Sequence, residues 1–253
     1  MIKAVFFDAG GVLHTSEKDV EQERFFIEAS LAVLASCGIF IDASPDECIE
    51  KIKIRAKEYK KWSEETTTEL PAADIWAKYF LKDFNVDLRK IEGCAEVLCY
   101  LYDGKRSRIT SRPHLPETVL ALHKMGMRQG IISNIISKHF VPECLTKYSI
   151  APYMESVILS SVVGRRKPAV EIFQAALDSV RLPAVECAFV GDRLSRDVIG
   201  AKNAQFGCMI QIRHQPSIEK DRAMESLGYK PDVMIDDLAE IPAIIQTLNK
   251  ENN

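Results

Sequence analysis

Apolar positions along this chain change period twice. Ala4-Val5-Phe6-Phe7 is an unbroken apolar run that stops at Asp8 and is followed by Ala9-Gly10-Gly11. Such a run predicts a strand buried on both faces of a parallel sheet, delivering one carboxylate to the sheet's carboxyl edge. The glycines leave room for a ligand or ion to approach the backbone. From Ser16 to Tyr102 helical spacing takes over, with Phe25-Phe26-Ile27, Leu31 and Leu34 on one face. Ser44-Pro45-Asp46-Glu47 reads as a capping box with proline in the first turn, opening a helix that passes Ile52 and Tyr59. Ala72 to Phe84 and Leu88 to Tyr102 predict two more helices, and no strand is expected in this block.

From Pro116 onward helices and strands alternate. Helices are predicted over Glu117 to Met125, Pro168 to Val180, Ser195 to Gln205, Ile218 to Leu227 and Leu238 to Leu248. Strands are predicted over Met127 to Ile132, Val157 to Leu159, Cys187 to Val190, Cys208 to Ile212 and Val233 to Ile235. Repeated βα units predict an α/β fold with a parallel sheet wrapped by helices. The first strand belongs to that sheet. The helical block is then an insertion between the first and second strands, residues 16–111, and the α/β part is residues 1–15 and 112–253. The polar stretch Gly104 to Pro113 is the expected return linker.

Composition narrows the class. The 253 residues are 47% hydrophobic and 27% charged with net charge −3, which is ordinary for a soluble globular protein and offers no basic field for nucleic acid or an anionic membrane. No apolar run approaches the length of a membrane span, and Asp8 interrupts the first one, so no signal peptide is expected. The seven cysteines include no CxxC pair and mostly fall in apolar patterns, so they are expected to be reduced core residues of a cytoplasmic protein. A monomer or homodimer fits this composition.

Chemistry-bearing residues recur where strands end: Asp8, then Ser133-Asn134, then Gly191-Asp192 with Asp197 in the following turn. Lys167 stands just before Pro168 at a helix entrance. Strand carboxyl ends of such a sheet share one crevice. Asp8, Asp192 and Asp197 supply the hard oxygen ligands that Mg2+ prefers. The ion would offset repulsion between Asp8 and an anionic substrate and make Asp8 a nucleophile toward phosphorus. Ser133, N–H groups opening the next helix, and Lys167 suit the phosphoryl oxygens. Individually, Ser133 reads equally as a helix cap, Lys167 as a solvated lysine, Asp197 as a helix-dipole partner and Asp192 as a turn residue.

Together these segments resemble the haloacid dehalogenase-like hydrolase superfamily, in the form with a helical cap inserted after the first strand. Phe6 to Leu13 resembles the first motif and Ile131-Ile132-Ser133-Asn134 the second. Gly164-Arg165-Arg166-Lys167-Pro168 with Ile172-Phe173 resembles the third, and Phe189 to Ala201 the fourth. The resemblance implies a Rossmann-like core, Asp8 as the nucleophile forming an aspartyl-phosphate, and Ser133 and Lys167 as its catalytic partners. It also implies phosphate binding by Ser133, Asn134, Lys167 and Gly11, and Mg2+ held by Asp8, the Gly10 carbonyl, Asp192 and Asp197. A small phosphorylated substrate follows.

One position departs from the family pattern. Most such phosphatases carry a second Asp two residues after the nucleophile, and here Gly10 stands there. A glycine still offers a carbonyl to the metal, but not the carboxyl group that protonates the leaving oxygen and activates water. A positioned acid or base contributes about 10²–10⁴-fold. Phosphatase activity with another proton source is the favoured expectation. The alternatives are a phosphotransferase, a carbon–phosphorus hydrolase using one of Lys53, Lys57, Lys60 or Lys61, or a phosphate-binding module without turnover. His14 is one substitute acid by pKa. Dehalogenation fits poorly because the acidic fourth motif is present, and a receiver domain fits poorly because its acidic pair precedes the phosphorylated Asp. Gly10-Gly11 makes no dinucleotide fingerprint. Substrate selection is expected from the His14–Asp19 loop and the helical block, where Arg55, Lys57, Arg106 and Arg108 suit an anion and Tyr59, Trp62 and Trp76 suit a ring.

Overall fold

Side-chain alternation along the first strand decides where everything else packs. In β1 (Ala4–Phe7) all four residues are buried. Val5 and Phe7 join one apolar cluster with Leu115, Val119, Ile131 and Ile245, while Ala4 and Phe6 join another with Phe173, Phe189 and Met209 on the opposite face. The two faces of the sheet are thus covered by separate helical layers, as expected for a parallel sheet. The computed structural model describes residues 1–222 and 228–251.

After β1 come β2 (His14–Lys18), then helices α1 (Val20–Ser36), α2 (Pro45–Thr66) and α3 (Ala72–Ile75), the last continuing as a π turn over Trp76–Phe80. A 3₁₀ stretch at Leu88–Gly93 leads into α4 (Ala95–Lys105) and β3 (Ser107–Ser111). The α/β part then runs α5 (Leu115–Lys124), β4 (Arg128–Ser133), α6 (Phe140–Lys147), β5 (Ser156–Leu159), α7 (Ser160–Val163), α8 (Val170–Val180) and β6 (Cys187–Gly191). A π turn at Leu194–Val198 precedes α9 (Ile199–Asn203), β7 (Cys208–Ile212), α10 (Gln215–Asp221), β8 (Val233–Ile235) and α11 (Ile241–Glu251). The main sheet has the order β5-β4-β1-β6-β7-β8, all parallel. This is a Rossmann-like arrangement with β1 in the middle, flanked by β4 and β6. No helix among the described residues is long and apolar enough to cross a membrane, and all seven cysteines are free thiols.

Two expectations need correction. Residues 14–18 and 107–111 pair as an antiparallel ribbon, His14 opposite Ser111 and Lys18 opposite Ser107, so the expected loop and return linker contain strands. Their composition is polar because the ribbon is largely exposed, which hid it from hydrophobic periodicity. Helix α6, not among the expected elements, buries Phe140, Val141, Cys144 and Leu145 at helical spacing, and its start is held by Ser137, whose hydroxyl accepts from the N–H groups of His139 and Phe140. The helix expected over Ile218 to Leu227 is helical as far as it is described, as α10 through Asp221, and residues 223–227 lie outside the described residues.

The helical insertion has its own apolar cluster, including Phe26, Ile27, Tyr59, Trp76, Phe80 and Leu98. Ser44 caps α2 through the N–H of Glu47, with Pro45 in the first turn; the reciprocal bond from the Ser44 N–H to the Glu47 side chain, which would complete a capping box, is not among the bonds of the described residues. In the α/β part, Gly200 lets α9 cross α8 closely: a Cβ there would lie 2.4 Å from the Phe173 ring and 3.1 Å from Pro168 Cα. Gly200→Ala is expected to overpack this crossing at a cost of about 1–3 kcal/mol, read as a lower denaturant midpoint with an unchanged slope. An unaltered midpoint would mean that the crossing relaxes freely.

Candidate active site

Register places the polar groups before any side-chain contact is considered. Phe7 pairs with Ile131 of β4 on one side and Val190 of β6 on the other. The residues that follow, Asp8, Ser133 and Asp192, therefore emerge side by side at the carboxyl edge. Asp8 is 4%, Ser133 2%, Lys167 2%, Asp192 3% and Asp197 0% exposed, so water does little to screen them from one another.

Lys167 Nζ lies 3.0 Å from Asp8 Oδ1 and 2.7 Å from Asp197 Oδ1, a buried ammonium between two carboxylates. Asp8 Oδ1 also accepts from the N–H of Ala9 at 2.7 Å. Its second oxygen, Oδ2, has no hydrogen bond among the described residues. Asp197 arrives from the π turn, its Oδ2 accepting from the N–H groups of Asp192 and Arg193 at 3.2 and 2.9 Å. Gly191 makes this possible, because a Cβ there would sit 2.3 Å from Asp197 Cβ. Burial, and then the charges of Asp8 and Asp192, push the Asp197 carboxyl up to about 6 against the pull of Lys167 and Arg196.

Asp192 is held from the other side. Ser217 Oγ donates to its Oδ2, and His214 Nδ1 lies 3.1 Å from the same oxygen. Burial opposes ionisation of Asp192, but His214, Arg196 and Ser217 together keep its carboxyl below the ordinary range. Its carbonyl accepts from Gln211 Nε2 at 3.2 Å. Asp221 caps the π turn through Leu194 N at 2.5 Å and Ser195 Oγ at 2.9 Å.

The donor set suits a hard divalent cation. One oxygen each from Asp8, Asp192 and Asp197 lies within 4.8 Å of the others. Asp192 Oδ1 is buried without a hydrogen-bond partner, which is costly unless a cation or bound group completes it, and Asp197 Oδ1 is met only by the Lys167 ammonium. Gly11 has φ +81°, and a Cβ there would come within 2.3 Å of Asp192 Oδ2, so a side chain would displace this carboxylate.

Two expected phosphate contacts turn out to be engaged. The Gly11 N–H donates to His14 O at 2.7 Å and its carbonyl accepts from Arg112 Nε at 2.7 Å, leaving it no free N–H for a phosphate. Asn134 Nδ2 donates to Lys167 O at 2.9 Å while its Oδ1 accepts from Lys167 N at 2.7 Å. The Asn134 side chain thus fixes the backbone that carries Lys167. The Ser133 hydroxyl has no hydrogen bond among the described residues.

His14 is a core histidine, with ring centroids 5.7 Å from Phe140 and 6.1 Å from Tyr148. Burial lowers its pKa to about 4, despite the raising influence of Asp8. It therefore carries no proton to give at neutral pH. Trp76 is wholly buried against Phe80 and offers no stacking surface. Tyr59 is buried and bonded to Glu69, whereas Trp62 stays half-buried beside it. Arg55 is paired with Asp83 and Glu58, Arg108 with Asp19, and Arg106 lies over the Tyr102 ring. On α2, Lys53 pairs with Glu23 at 2.9 Å and Lys57 and Lys61 are exposed, the pattern of a solvated face.

Sequence reasoning missed His214, Ser217, Arg112 and Asp221. His214 had a usable signal, since it follows the end of β7 as Asp192 follows β6. The others depend on contacts between segments remote in sequence.

Comparison with known proteins agrees with this arrangement. Residues 2–205 match the family model described as haloacid dehalogenase-like hydrolase. Glyceraldehyde 3-phosphate phosphatases of Methanopyrus kandleri and Methanocaldococcus jannaschii are 26% and 28% identical, each aligned over 99% of this chain and all of its own length. Among solved structures, 2-haloacid dehalogenase from Pseudomonas syringae pv. tomato superposes with a TM-score of 0.69 at 20% identity, covering 98% of this chain and 100% of that one. A phosphatase of the same superfamily from Thermococcus onnurineus has a TM-score of 0.57 at 23% identity, covering 96% and 98%. These two show the fold. Motifs, sheet order and family match together establish that this chain belongs to the haloacid dehalogenase-like hydrolases.

Proposed function

We propose that this hydrolase cleaves small phosphomonoesters through an aspartyl-phosphate on Asp8, with Mg2+ as cofactor and the helical insertion acting as a cap. The observation that carries the reading is the convergence of two further buried carboxylates and one buried ammonium on Asp8. The names of the full-length relatives support a small phosphorylated substrate.

In this reading Asp8 Oδ2 attacks phosphorus, the bond from phosphorus to the ester oxygen breaks, and the leaving oxygen departs with the bonding pair. Lys167 and the unengaged Ser133 hydroxyl hold the phosphoryl oxygens as charge shifts. Asp8, Asp192, Asp197 and the Gly10 carbonyl would hold Mg2+, which when bound supplies positive charge to offset repulsion between Asp8 and the phosphate. Water then attacks phosphorus, inorganic phosphate leaves, and the Asp8 carboxylate is regenerated. No carboxyl stands at position 10, so the leaving oxygen takes its proton from water. A leaving group that needs no proton should therefore react faster.

Turnover of p-nitrophenyl phosphate and glyceraldehyde 3-phosphate is expected with Mg2+, to vanish with EDTA, and to be abolished by Asp8→Asn. Steady-state assays check this, and turnover surviving Asp8→Asn would eliminate the covalent route. A Cβ on Gly10 meets nothing within 4 Å, so an aspartate fits there. Gly10→Asp is expected to raise kcat on alkyl phosphates, up to the roughly 10²–10⁴-fold available to a positioned acid, and much less on p-nitrophenyl phosphate. Equal gains on both would show that protonation is not the deficit. The His14 imidazole is expected to titrate in the folded protein near pH 4, as followed by NMR. Its folded pKa is depressed, so it contributes stability above its ordinary value of 6.5 that is lost as pH falls through about 4. A midpoint above 6 would restore His14 as a proton donor.

A further inference from the structure

One carboxylate of the helical insertion is buried where the insertion meets the two core segments behind the reactive groups. Glu69 lies between α2 and α3 and is 4% exposed. Its carboxylate pairs with the Arg166 guanidinium, accepts from the Tyr59 hydroxyl, and accepts from Ser160 Oγ at 2.6 Å. Ser160 Oγ in turn accepts from the N–H of Ile135 at 2.8 Å. Backbone contacts reinforce the junction: Glu69 N donates to Gly164 O at 3.0 Å, Arg166 N donates to Thr67 O at 2.9 Å, and Thr68 bridges to Arg165 in antiparallel fashion. Burial and the neighbouring carboxylate push the Tyr59 phenol far above its ordinary range, so it remains a hydrogen donor.

The sequence positions of these partners give the junction its meaning. Arg166 immediately precedes Lys167, and Ile135 comes two residues after Ser133. A buried carboxylate with three donors is rigid, because moving any one donor leaves charge unpaired in a dry site. We propose that Glu69 is a positioning residue that couples the seating of the helical insertion to the placement of Lys167 and Ser133 around the phosphoryl group. This inference rests on the phosphatase reading for the roles of those two residues. Displacement of the insertion at Glu69 pulls on Arg166 and on the Ser160–Ile135 contact together, so the phosphate site is complete only when the insertion is docked.

The test compares the wild type with Glu69→Gln, which keeps the shape and removes the charge. Three readouts are taken: hydrogen exchange at the Glu69 and Arg166 amides, inorganic phosphate binding in the presence of Mg2+, and kcat/KM on p-nitrophenyl phosphate. Exchange is expected to accelerate at both amides. Phosphate affinity and kcat/KM are expected to fall by roughly 10- to 100-fold, the scale of misplaced reacting groups. Glu69→Leu combined with Arg166→Met removes both charges; it is expected to regain thermal stability while phosphate affinity stays low. A merely structural role would let activity return with stability. Wild-type phosphate affinity in Glu69→Gln, or wild-type kcat/KM in the double variant, overturns the proposal. If Glu69→Gln does not fold, Tyr59→Phe removes a single hydroxyl from the carboxylate; faster exchange with a smaller loss of affinity supports the coupling, and no change in either overturns it. A wild type that binds phosphate without turnover would refute the phosphatase reading while leaving the exchange and binding comparisons decisive for Glu69.

Discussion

The structure depends on holding three carboxylates in a nearly dry pocket with one lysine between two of them. Like charges at such distances repel strongly where water is excluded. Lys167 offsets part of that repulsion, and N–H groups, a serine hydroxyl and an imidazole satisfy most remaining oxygens. What is left over is informative: a buried Asp192 oxygen without a hydrogen-bond partner and a raised Asp197 pKa. Residual unsatisfied negative charge is what a cation-binding, anion-processing site requires before its ligands arrive.

That arrangement explains why supporting elements are built as they are. β1 sits between β4 and β6, so Asp8 stands between the strands that supply Ser133 and Asp192. Gly11 and Gly191 omit side chains where Asp192 and Asp197 must come close to the backbone. Asn134 spends both ends of its amide on the Lys167 backbone. Each of these features removes a freedom that would let the charged groups drift apart. The insertion adds a further layer of the same kind through Glu69, reaching the segments that carry Ser133 and Lys167 from outside the sheet.

The missing carboxyl at position 10 shifts attention from binding to proton supply. Position 10 is open, and the nearby histidine is neutral in its aromatic surroundings. The site therefore retains groups suited to phosphorus chemistry while lacking an acid of its own at the usual place. On the proposed phosphatase reading, this combination favours esters whose leaving oxygen is already acidic.

The α/β order, the insertion after β1 and the residues at strand ends were determined by the sequence itself. Burial on both faces writes apolar runs such as Ala4–Phe7, and a strand's carboxyl end must expose whatever comes next. Only the tertiary structure decided the polar ribbon β2–β3, the burial of Trp76, and the fates of Gly11 and Asn134. It likewise decided the partnerships of Glu69 with Arg166 and Asp192 with His214 and Ser217. The physical reason is common to all of these. Periodicity records which face of an element meets the core, whereas a hydrogen bond or ion pair between distant segments leaves no local pattern and exists only once the sheet has brought its strands into register.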